Sequence, residues 1–110
     1  MIIKNLILIL VFLSFGFLSS QNAGNLTGRV LDSQTQLPIQ GVSVLLENSL
    51  MGVATDDNGY FTINDIPAKT YNINISHLGY QSQTIYNIII KAFGTPPLQI
   101  LLEESTNELD

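Results

Sequence analysis

Thr55-Asp56-Asp57-Asn58-Gly59-Tyr60-Phe61 reads as a tight turn between two strands, and the fold follows from it. Asp and Asn side chains bond back to nearby backbone amides, while glycine accepts positive φ without a Cβ clash. The pattern predicts a type I turn with Gly59 left-handed in a bulge, and an Asn58-Gly59 type I′ turn is the alternative. On either geometry Asp56, Asp57, Asn58 and Gly59 form a structural turn. Val53 to Thr55 is expected to run back against Tyr60 to Ile63.

Outward from this turn the chain alternates in strand fashion. Tyr71, Ile73 and Ile75 alternate with Asn72, Asn74 and Ser76, a period of two that buries one face and wets the other. Leu26, Gly28 and Val30 alternate with Thr27 and Arg29, and Val42, Val44 and Leu46 with Ser43 and Glu47. Leu45 breaks the pattern. Pro38 with Gly41, and Pro67 with Ala68 and Lys69, mark connections. Tyr80 to Ile90 reads as a further strand or a strand pair broken near Asn87, and its continuous end, Ile88-Ile89-Ile90, suggests burial on both faces or a covered edge. Gly94-Thr95-Pro96-Pro97 then turns the chain into a last strand carrying Leu98, Ile100 and Leu102. No helical stripe follows residue 20. Short strands with turn signals every 8 to 12 residues or so predict an all-β fold, a single antiparallel β-sandwich. Its expected inward positions are Leu26, Val30, Val42, Val44, Phe61, Ile63, Tyr71, Ile73, Ile75, Ile100 and Leu102.

The N-terminus has a different composition. Lys4 is the only charge before Arg29; Leu6 to Leu18 is almost wholly apolar, and Ser19, Ser20 and Gln21 follow. That is the layout of a secretory signal peptide over residues 1–20, cleaved near Ser20. The apolar run is short against the roughly 20 residues of a membrane helix, and a retained anchor is the alternative. With no cysteine in the chain, a lipid-modified N-terminus is excluded and no disulfide supports the domain. Residues 21–103 then make one small domain, and 104–110 an acidic flexible tail carrying Glu104, Glu108 and Asp110.

Charge and composition narrow the function. Beyond the signal the basic residues are Arg29, Lys69 and Lys91, scattered among nine acidic side chains, so no nucleic-acid partner is expected. A zinc peptidase needs two histidines and a glutamate, and a serine hydrolase needs a histidine beside a nucleophile elbow. The single histidine, His77, ends a strand and is expected to pack or cap there. No catalysis, cofactor or small-molecule substrate is expected. Calcium is tested by register: with Gly59 at position 6 of an EF-hand loop, Asp56, Asn58 and Asp65 fall at ligand positions, but position 1 is Ala54. The metal reading fails. Asn25-Leu26-Thr27 and Asn74-Ile75-Ser76 match the glycosylation sequon but fall in expected strands. Tyr80, Tyr86 and Phe93 are expected to pack at the surface or in the core, with an exposed aromatic contact as the alternative.

Four blocks in order, Gly28-Arg29-Val30-Leu31-Asp32, Leu37-Pro38-Ile39-Gln40-Gly41-Val42-Ser43-Val44, Thr55 to Phe61, and Tyr71 to Gly79-Tyr80, resemble the carboxypeptidase-regulatory-like domain. The resemblance covers residues 25–103 and implies a seven-stranded, transthyretin-like or immunoglobulin-like sandwich. Such domains commonly form the N-terminal extension of starch-utilisation-type TonB-dependent outer-membrane receptors, after a signal peptide. In those receptors an acidic stretch leads to a TonB box, a plug and a barrel. Leu101-Leu102-Glu103-Glu104 and Asn107-Glu108-Leu109-Asp110 look like that lead-up. The resemblance therefore implies a non-catalytic accessory domain for nutrient uptake, here a truncated or isolated fragment without plug and barrel. It would be periplasmic and associated with the outer membrane, with the receptor barrel or periplasmic signalling or energy-transducing proteins as partners. The alternative is a stand-alone secreted or periplasmic binding or adhesion module, in which an edge such as Ile88 to Ile90 pairs with a partner strand.

Overall fold

The computed structural model describes residues 22–105. The expected signal peptide and the last five tail residues lie outside them. Seven strands follow one another: β1 (Ala23–Asp32), β2 (Ser43–Leu46), β3 (Gly52–Ala54), β4 (Tyr60–Pro67), β5 (Thr70–His77), β6 (Tyr80–Ile89) and β7 (Leu98–Leu102). No helix occurs among the described residues. One sheet has the order β4-β1-β7 and the other β3-β2-β5-β6. Their inner faces enclose one core, and all eleven expected inward residues are buried in it. Ile73, at the centre of β5, is fully buried, which is worth about 1.5–3 kcal/mol for a side chain of this size.

Two expected pairings are corrected. β1 pairs with β7 in parallel, from Gly28 opposite Leu98 to Asp32 opposite Leu102, so the sandwich is not antiparallel throughout. The cause is the connection between sheets. β6 finishes where β1 begins: the Ile90 amide donates to the Lys69 carbonyl at 2.9 Å, and Ala23 lies opposite Pro67. Residues 91–97 then cross to the other sheet at that end, and β7 must run in the same direction as β1.

The second correction concerns the opening turn. Val53 does not pair with the strand beyond Tyr60. β3 pairs with β2, Val53 facing Val44, whereas β4 pairs with β1, Tyr60 facing Arg29. The turn is a corner between the two sheets. Its own backbone closure consists of the Gly59 amide donating to the Asp56 carbonyl and the Asp56 amide donating to the Tyr60 carbonyl, both at 2.9 Å.

Two residues with positive φ re-phase the alternation. Asp65, at φ 58°, puts Ile66 rather than residue 65 after Ile63 in the core. Asn87, also at φ 58°, bends β6 without ending it, and its amide donates to the Asn72 carboxamide at 3.1 Å. In the isoleucine run Ile88 is partly buried, Ile89 exposed and Ile90 buried, so burial alternates there and is not two-sided. Tyr86 and Phe93 are exposed, while Tyr80 packs on the core.

Candidate functional site

At the corner turn, positive φ occurs at Gly59 (80°) and not at Asn58, which selects the type I turn with a glycine bulge. Asp56 Oδ1 accepts from the amides of Asn58 and Tyr60, both at 2.9 Å. That carboxylate is engaged by backbone. Among the described residues no group of three His, Cys, Asp or Glu side chains is placed to hold a metal ion. Asp57 and Asn58 are exposed. The turn contributes position rather than chemistry: the Gly59 carbonyl accepts from the Val30 amide at 2.8 Å, which stitches the corner to β1.

His77 caps its strand as expected. Its Nδ1 accepts from the Gly79 amide at 3.1 Å, and its ring stands edge-on to Tyr80 with centroids 5.5 Å apart.

A polar knot at the C-terminal end of β1 escaped sequence reading because two of its members, Asp32 and Tyr80, are far apart in the chain. Asp32 is buried; its Oδ1 accepts from the Gln34 and Thr35 amides at 2.8 and 3.0 Å, and its Oδ2 accepts from the Tyr80 hydroxyl at 2.8 Å. The Thr35 amide, then the Tyr80 hydroxyl and the Gln34 amide, hold the Asp32 carboxyl below its usual 3.8. The same hydroxyl bond, followed by burial and the negative charge of Asp32, pushes Tyr80 up to about 12. Both shifts carry a pH dependence. A depressed carboxyl contributes stability that is present above its unfolded value and lost as pH falls through the folded one. A raised phenol contributes stability that is complete below its ordinary value of about 10 and lost as pH rises toward 12. Urea midpoints followed across pH should therefore fall at both extremes. Tyr80→Phe should flatten the alkaline limb, and Asp32→Asn should weaken the acid one. Unchanged limbs in both variants would dissociate the knot from the pH response.

The outer face of the β4-β1-β7 sheet carries a shallow concavity of about 390 Å3, lined among others by Thr27, Arg29, Tyr60, Thr62 and Gln99. Arg29 lies over the Tyr60 ring at 4.6 Å, and its Nε donates to the Asn58 carbonyl at 2.9 Å. The corner turn thus fixes the guanidinium plane. An oriented, planar donor beside hydroxyl and amide groups suits a polar surface contact.

The C-terminal segment is also held in place. After β7 the Glu103 carbonyl accepts from the Gln81 amide at 2.8 Å, and the Ser105 amide donates to the Gly79 carbonyl at 3.0 Å. Glu104 lies antiparallel to Tyr80. The start of the acidic tail, Glu103 to Ser105, is thereby clipped against Gly79 to Gln81.

Comparison with solved structures supports the architecture. The chain is similar to a type II cohesin–X-dockerin complex from Acetivibrio cellulolyticus carrying an N-terminal interface mutation. Identity there is 27%, TM-score 0.62, over 74% of this chain and 58% of that one. It is also similar to a putative carbohydrate binding protein from Bacteroides uniformis (15% identity, TM-score 0.58, 74% of this chain and 42% of that one). The group B streptococcus pilus 2b backbone protein matches at 17% identity and TM-score 0.58, over 76% of this chain and 42% of that one. This chain spans between 42% and 58% of the length of these proteins. No curated protein matches. A family model, the CarboxypepD_reg-like domain, matches residues 26–110, from the first core leucine of β1 through the tail. With its seven-stranded sandwich and that match over most of its length, the chain belongs to the CarboxypepD_reg-like domain family.

Proposed function

We propose that this chain is a non-catalytic accessory domain that positions the segment following its acidic tail, as the N-terminal extension of a TonB-dependent outer-membrane receptor does. The reading rests on the clip of Glu103 to Ser105 against Gly79 to Gln81. A tail that left the domain freely after Leu102 would carry no orientation; one paired to β6 does. The export signal expected at residues 1–20 and the acidic order of Glu103, Glu104, Glu108 and Asp110 fit a periplasmic domain tethered to a membrane partner. Its partners would be the receptor barrel or a periplasmic energy-transducing protein, with no nucleic acid, cofactor or small-molecule substrate.

A second reading, a stand-alone secreted or periplasmic binding or adhesion module, draws on β6. That strand is the edge of its sheet, and beyond Gln81 no strand among the described residues covers it. Ile89 stands exposed there.

Site-specific photo-crosslinking in the exported chain separates the two. A crosslinker at position 107 should capture an outer-membrane barrel or its energy-transducing partner. Recovery of the chain only as a free periplasmic or secreted protein overturns the receptor reading. Capture of a partner from position 89 instead would favour the binding module.

A further inference from the structure

The first and last strands of the domain lie side by side and point the same way. The β1-β7 register is unbroken over Gly28 to Asp32 and Leu98 to Leu102, and the Ser33 amide extends it by donating to the Leu102 carbonyl at 2.9 Å. β1 is the central strand of its sheet. On its other side it is held by β4 up to Arg29, and beyond that by the 37–39 segment, whose Ile39 amide donates to the Val30 carbonyl at 3.0 Å and whose Leu37 carbonyl accepts from the Asp32 amide at 2.9 Å.

We propose that the domain is a tension-bearing link in which the parallel β1-β7 pair is a shear clamp between the chain entering at Asn22 and the chain leaving at Ser105. Where two parallel neighbours are drawn by their opposite ends, tension runs along the strands and loads every rung of the ladder at once. The rungs must fail together. Where tension enters at one end of a ladder, the rungs open one after another and the resistance is that of a single bond. A hydrogen bond contributes little by itself against water, so the loading geometry rather than the number of bonds sets the resistance.

Two further contacts feed load into the clamp. The tail clip puts Glu103 to Ser105 against Gly79 to Gln81 at the start of β6, in the opposite sheet, so tension on the tail is shared by both sheets. The Tyr80 hydroxyl, donating to Asp32 at 2.8 Å, ties the start of β6 to the end of β1 across the sandwich. Tension applied to the tail therefore reaches β1 by two routes, through β7 and through Tyr80. The source of that tension rests on the accessory-domain reading, in which a partner pulls on the segment beyond the tail; the clamp itself does not depend on the partner's identity.

The chain has no cysteine, so pairs of introduced cysteines give unique attachment points for optical tweezers. Handles at Asn22→Cys and Thr106→Cys load the clamp in shear. Handles at Asn22→Cys and Phe93→Cys, the latter a fully exposed loop residue, load the ladders from one end. At equal pulling rate the shear geometry should unfold at a force higher by about twofold or more, since forced unfolding reports the barrier along the loaded direction. Tyr80→Phe should lower the force in the shear geometry and leave the other unchanged. Equal forces in the two geometries overturn the clamp, and an equal drop in both for Tyr80→Phe overturns the route through Tyr80. Failure of either leaves the crosslinking test of the accessory-domain reading unaffected, and the reverse holds too.

Discussion

Replacing Gly59 by alanine should destabilise the domain by about 2–3 kcal/mol, a large share of the roughly 5–15 kcal/mol available to a small domain. Two costs combine at this position. The backbone sits at φ 80°, where a Cβ is strained, and a Cβ built there would stand 2.6 Å from the Val30 carbonyl oxygen and 3.0 Å from the Pro38 side chain. Neither β1 nor the 37–39 segment can yield without loosening the bond from the Val30 amide to the Gly59 carbonyl. Gly41 supplies the control. Its φ is 75°, yet nothing lies within 4 Å of its Cβ direction. Gly41→Ala should therefore cost only the conformational term, about 1 kcal/mol. Urea midpoints of the two variants at neutral pH make the comparison. Equal losses would mean that the corner tolerates a side chain, and that close approach of the turn to β1 does not constrain this position.

The same corner shows which features the sequence carries and which it does not. The turn type was legible at Asp56 to Gly59 because it depends on local groups: an Asx carboxylate, its neighbouring amides and a glycine. Which sheet each arm joins depends on remote groups. β3 is drawn to β2 by pairing with Ser43 to Leu45, and β4 to β1 by pairing with residues some thirty positions earlier in the chain. A chain reversal therefore looked like a hairpin. Alternation placed the core of β5 and β2 correctly: the period of two runs unbroken through β5, and in β2 Leu45, which breaks it in sequence, lies on the exposed face. It left Ile66 and Ile90 out of the expected inward set, because positive φ values at Asp65 and Asn87 shift the phase by one residue. Asp and Asn tolerate that conformation better than other side chains but do not require it, so the residue type marks where a shift can occur and not that it does. The parallel sense of β7 is a property of where residues 91–97 cross between sheets, not of the strand's own residues. The bond between Asp32 and Tyr80 spans 48 positions, and each residue alone reads as an ordinary strand end.

Thr55→Val should be the more damaging of two small changes at the entrance to the turn, although it alters the side chain's volume hardly at all. Thr55 is buried, and its hydroxyl has both of its roles filled: it donates to the Ile39 carbonyl at 2.6 Å and accepts from the Val42 amide at 2.9 Å. Its backbone is bonded as well, the amide donating to the Val42 carbonyl and the carbonyl accepting from the Gly41 amide, both at 3.0 Å. One threonine thus joins the end of β3 to the chain entering β2 and to the segment that continues the β1 sheet. Valine keeps the shape and strands one buried donor and one buried acceptor, a cost of about 2–4 kcal/mol. Thr55→Ser keeps both bonds and gives up one methyl group, about 1 kcal/mol. Thermal or urea unfolding of the two variants ranks them. If serine proved the worse, the corner would be held by packing of the methyl group. If valine is the worse, hydrogen bonding across the sheets is what converts a turn sequence into a sandwich corner, and the glycine and the threonine that flank it act as one unit. The double variant Thr55→Val with Gly59→Ala would then lose less than the sum of the two single losses, because each removes part of the same junction.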